Sequence, residues 1–79
     1  MGLFIEINKI EEKEQEVFYS FCTSEGNAGK VSINKDTGEF FVIEEPAWDK
    51  NHKLASRVGI KLEEHWEKGE FPDITCWAS

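Results

Sequence analysis

The residues with the chemistry of a nucleophile, a base or a soft metal ligand are His52, His65, Cys22 and Cys76, and no two of them stand at ligand spacing. The cysteines lie far apart and form no Cys-x-x-Cys, so neither a zinc site nor a disulfide framework is indicated; two reduced thiols in a cytoplasmic chain fit best. Cys22, on a strand-like stretch, reads as a small core residue, and His65 as a boundary histidine. Carboxylates are plentiful, 16 Asp and Glu among 79 residues, but in so acidic a chain adjacency carries little information. Glu63 and Glu64, for example, would point about 100° apart on a helix and make no acid–base dyad. The sequence therefore predicts no catalysis, no metal and no cofactor.

The elements that would position these residues form a single domain, 1–79, with little spare apolar material, because a chain this short hides only about 60% of its unfolded surface. Leu3, Ile5 and Ile7 alternate with Glu6 and Asn8, the pattern of a half-buried strand, and Val17, Tyr19 and Phe21 share one face of a second. Between them Glu11–Glu16 is a charged connector. Ser24–Gly29 is turn-forming, and a second hairpin follows in which Val31 and Ile33 alternate with Lys30, Ser32 and Asn34. The stretch 34–38 (NKDTG) fits a type I turn with Gly38 in the left-handed position. The return strand, 39–43 (EFFVI), is apolar on both faces and is expected to be central in the sheet or covered on its second side.

Pro46 ends that strand, and residues 50–68 carry the one sustained helical pattern, capped by Asp49 or Asn51 and stopped by Gly69 and Pro72. Leu54, Ala55, Val58, Gly59, Leu62, His65 and Trp66 fall within roughly 140° of one another, a stripe suited to a core. Ile60 stands on the opposite, acidic face. The tail, 70–79 (EFPDITCWAS), reads as an extended segment whose Phe71 or Trp77 either folds back over Ile60 or leaves it bare. The expected architecture is α+β: a four-stranded antiparallel meander of two hairpins, packed by one C-terminal helix and followed by an extended tail.

A net charge of −7 repels phosphate, which argues against nucleic acid and anionic membrane as partners and favours a basic protein. Lys50, Lys53, Arg57 and Lys61 gather on one helix flank but are also placed for pairing within the helix. No run approaches the roughly 18 apolar residues of a membrane span, and the N-terminus shows no signal pattern, so the expected location is cytoplasmic. The acidic residues gather at Glu11–Glu16, at Glu44, Glu45 and Asp49, and at Glu63, Glu64, Glu67, Glu70 and Asp73. The last group surrounds Ile60 in the manner of an apolar anchor with a charged rim. Trp48 is either a staple to the core or part of the same surface. The partner-binding candidates are thus Glu44, Glu45, Trp48, Asp49, Ile60, Glu63, Glu64 and Glu67.

Residues 65–79 (HWEKGEFPDITCWAS) together with 29–46 (GKVSINKDTGEFFVIEEP) resemble the small, acidic, single-domain immunity proteins found beside bacterial contact-dependent or polymorphic toxins. The resemblance implies a non-enzymatic cytoplasmic inhibitor that binds one toxin domain, frequently a basic nuclease, and blocks its active site or substrate channel. It carries over no functional residue, because such proteins share no site signature. The competing expectations are a self-associating structural or regulatory domain, monomeric or weakly dimeric, and an acidic nucleic-acid mimic that inhibits a DNA-binding enzyme.

Overall fold

Alternating apolar residues in the first half of the chain place Ile5, Ile7, Val17, Tyr19, Phe21, Val31 and Ile33 on one face of a sheet, where all seven are buried. A computed structural model describes residues 3–47, Asp49 and residues 52–78. Its elements are β1 (Phe4–Glu12), β2 (Glu16–Thr23), β3 (Ala28–Asn34), β4 (Phe40–Glu44), α1 (Lys53–Glu67) and β5 (Ile74–Ala78). The strands form one antiparallel sheet in the order β4-β3-β2-β1-β5, with α1 across the buried face. The fold is α+β.

The second hairpin follows its turn chemistry. Asn34 Oδ1 accepts from the backbone N–H of Asp36 and Thr37 at 2.8 and 3.0 Å, and Gly38 takes a φ of 76° while donating to Asn34 O at 2.9 Å. In the first hairpin the strands run further than expected. β1 continues to Glu12 and β2 begins at Glu16, so only 13–15 turn, closed by Lys13 N–H to Glu16 O at 2.7 Å. A one-residue bulge between Lys9 and Glu11 lets β1 keep pairing after its apolar alternation ends.

Helix α1 supplies Leu54, Ala55, Val58 and Leu62 to the core, in line with its stripe. It begins at Lys53 and is capped from outside: Asp49 Oδ1 accepts from Lys53 N–H at 2.9 Å and Oδ2 from Leu54 N–H at 3.0 Å. His52 occupies the N-cap position itself, with a φ of 54°. The alternative cap, Asn51, lies outside the described residues.

Two expectations are corrected. The tail does not trail from the helix; it is the fifth strand, pairing Ile5 with Trp77 and Ile7 with Thr75, because β1 has a second edge that needs hydrogen-bond partners. The helix is accordingly inserted before the last strand, and the sheet has five strands: the expected meander β1–β4, with β5 added beside β1. Secondly, β4 is an edge strand rather than a central or covered one, with Phe41 48% and Ile43 53% exposed. Double-sided apolarity was read as double-sided cover, but the one helix covers a single face and leaves Phe41 in a row with Ser32 and Phe18 on the open one.

Candidate functional site

The four residues with reactive chemistry are not brought together. Cys22 and Cys76 both stand opposite Glu6, one on each neighbouring strand, on the sheet face away from the helix. Two strand spacings, roughly 10 Å, separate them, too far for a disulfide, and both are free. His52 and His65 lie at opposite ends of α1 on the other face, roughly 20 Å apart at the rise of a helix. His65 Nε2 lies 2.9 Å from Thr75 Oγ1 on β5, with Nδ1 3.7 Å from Glu70. Among the described residues, no three His, Cys, Asp or Glu are grouped as a metal would need.

Besides its core packing and the contact of His65 with β5, α1 makes three contacts with β4 or its flanks. Trp66 packs on Gly38 and donates its indole N–H to Lys35 O at 2.7 Å. About two turns earlier, Gly59 sits directly over the Phe40 ring, where a side-chain carbon would come within 2.9 Å of it. At the helix start, His52 Nδ1 meets Glu45 at 2.5 Å. The helix therefore runs antiparallel to β4, and the line Gly59-Glu63-Glu67 starts on the β4 side at Gly59 and turns outward by about 40° at each step, so Glu63 lies nearer that side and Glu67 beside Ile60. The line Arg57-Lys61-His65 faces β5, as the contact of His65 with Thr75 requires.

Between these lines the outward face of α1 presents Ile60, 50% exposed and not covered by the tail, whose residues are engaged with β1. Ile60, Glu63, Glu64 and Glu67 line a shallow depression of about 200 Å³. Glu64 is 3.3 Å from Lys61, whereas Glu63 and Glu67 have no cationic partner among the described residues. The result is an apolar patch with carboxylates on its rim, two of them without an ion pair among the described residues.

The other candidates have different positions. Glu44 ends β4 opposite Lys30 and is exposed. Glu45 is half-buried and engaged with His52, which ties the strand to the helix. Asp49 is 2% exposed with both oxygens bonded to helix amides, so its carboxylate is turned into the molecule and the expectation that it contacts a partner is withdrawn. Trp48 lies outside the described residues.

The acidic first hairpin, whose Glu11–Glu16 reads in the sequence as a charged connector, contains a structural group. Glu12 takes Lys35 at 2.7 Å and Lys9 at 2.6 Å, and Lys9 also reaches Asp73 at 3.3 Å, which links both hairpins to the start of β5. The hydrogen bond from Lys35, then that from Lys9, hold the Glu12 carboxyl down to about 2. Beside it, Tyr19 donates its hydroxyl to Pro72 O at 2.8 Å, and burial pushes its phenol up to about 12. These contacts anchor the segment between α1 and β5.

What the sequence missed is the exposed apolar edge of β4. The signal was present in Glu39, Glu44, Glu45 and Pro46, because charges and proline flanking an apolar strand mark an edge that must resist pairing with the wrong chain. Comparison of the chain with family models, with curated proteins and with solved structures finds no match.

Proposed function

We propose that the chain is a non-enzymatic protein-binding domain that acts as an immunity protein, binding a basic toxin domain and neutralising it by covering its active site or substrate channel. The observation that carries this reading is the bare Ile60 in its rim of Glu63, Glu64 and Glu67. A net charge of −7 steers a basic protein towards the chain and speeds encounter, while burial of an apolar anchor lengthens the lifetime of the complex. Glu63 and Glu67 suit this role because no lysine or arginine of the described fold competes for them. Of the remaining candidates, Glu44 is exposed near the same side and adds to the acidic field, whereas Glu45 acts on the fold.

The test is purification of the chain from its native host. A basic protein recovered with it, whose toxicity to cells is relieved by co-expression of the chain, is the expected result. Recovery of the chain alone, or of its own oligomers alone, contradicts the proposal.

A further inference from the structure

We propose that the open edge of β4, with the acidic side of α1 above it, takes up an extended strand from a protein partner whose flanking residues are lysine or arginine. The inference rests on the reading of the chain as a protein-binding domain and specifies the mode of binding.

Among the described residues β4 lies at the end of the sheet and pairs only with β3. Asn34 N–H donates to Glu39 O and Asn34 O accepts from Gly38 N–H, each at 2.9 Å, so both backbone groups of Asn34 face β4, and by the alternation of an antiparallel ladder Ser32 and Phe41 exchange hydrogen bonds. The backbone N–H and C=O of Phe40 and Val42 consequently point away from β3, outward from the sheet. Beyond them the register shifts, Val42 pairing with Val31 but Glu44 with Lys30, so the bulge at Ile43 ends a short open segment. The side chains beside this segment are apolar and half-exposed: Phe41, Val42 and Ile43. An incoming strand would find unpaired backbone groups along one side and apolar contacts across both faces.

Charge selects the occupant. Glu39 and Glu44 bracket the open segment, and on the helix Glu63 lies towards it, one step of four residues from Gly59, with Glu67 next along the same line. The lysines and arginine of the helix, Lys53, Arg57 and Lys61, are on the line of residues spaced by four that His65 continues towards β5. Two copies of this chain joined through β4 would set these carboxylates against one another and bring −7 against −7, which disfavours a second copy as the occupant. A strand with basic ends meets opposite charge at both ends and beneath the helix.

The experiment pans a phage-displayed library of random peptides on the folded chain at low salt. Enriched peptides are expected to alternate apolar residues between basic ends and to move the backbone amide resonances of Phe40 to Glu44 in the unmodified chain. They should also bind about tenfold or more weakly to Val42→Pro, which removes an outward N–H, and to the Glu63→Lys/Glu67→Lys variant. Resonance mapping on the unmodified chain keeps the test valid if Val42→Pro folds poorly. A library that yields no binder, binders without basic residues, or resonance changes confined to other elements overturn the proposal, as does sedimentation showing that the chain dimerises through β4. If peptides bind at β4 but no toxin is neutralised, the edge stands and the immunity reading falls. If a neutralised toxin binds Val42→Pro undiminished, the edge alone falls.

Discussion

A carboxylate that is 2% exposed, with both oxygens bonded to helix amides, gives Asp49 a share in stability that no surface glutamate of this chain has. Asp49→Ala leaves the amides of Lys53 and Leu54 without their acceptor and should lower the unfolding free energy by about 1–2 kcal/mol, read from denaturant midpoints. A surface Glu63→Ala change should stay within about 0.5 kcal/mol in the same assay. Tyr19, the one tyrosine in the chain, offers a titration without overlap. Burial favours its neutral form, so its contribution is intact below the ordinary value of 10.0 and is lost as pH rises through the folded value of about 12. Phenolate absorbance should therefore appear near 12 in the folded chain, and Tyr19→Phe should lose less stability than the parent between those two pH values. Absorbance rising near 10 in a chain that is still folded would show that the phenol is not buried. The cap at Asp49 was legible in the sequence because capping is local chemistry; its unfitness as a partner contact was not, because burial depends on where the loop folds.

At the scale of elements, the contact between α1 and the second hairpin decides which helix face is left outside. Gly38 couples two requirements, a φ of 76° and room for the Trp66 ring, with which a side-chain carbon would collide at 2.8 Å. Gly38→Ala should thus cost about 1–2 kcal/mol by denaturant unfolding and loosen the helix end, seen as faster amide exchange around Trp66. A substitution without effect would mean that Trp66 does not pin the helix there. The turn at Gly38, the stripe from Leu54 to Leu62 and the alternation of β1, β2 and β3 could all be read from sequence, since each is set within a few residues. The place of β4 at the edge and of the tail as β5 could not, because alternation assigns a residue to a face and says nothing about which strand lies beside it. Residues 74–78 (ITCWA) are too short and too weakly alternating to announce a strand; pairing with β1 is what makes them one.

For the whole molecule, the consequence of this arrangement is a separation of charge across one helix. Glu63, four residues from Gly59, lies on the β4 side, Lys61, four residues before His65, on the β5 side, and Ile60 stands bare between them. Whether Ile60 is exposed turned on the path of the tail, which the sequence left open and the β1–β5 pairing decides. No helix among the described residues is long and apolar enough to cross a membrane. The proposed immunity function draws on the acidic side of this molecule, and its most direct measurement is the affinity of the protein recovered from the native host for the parent chain and for Glu63→Lys/Glu64→Lys/Glu67→Lys, across a salt series. The proposal predicts a loss of about tenfold or more at low salt that shrinks as salt screens the charges. Equal affinity of both chains at every salt concentration would contradict it.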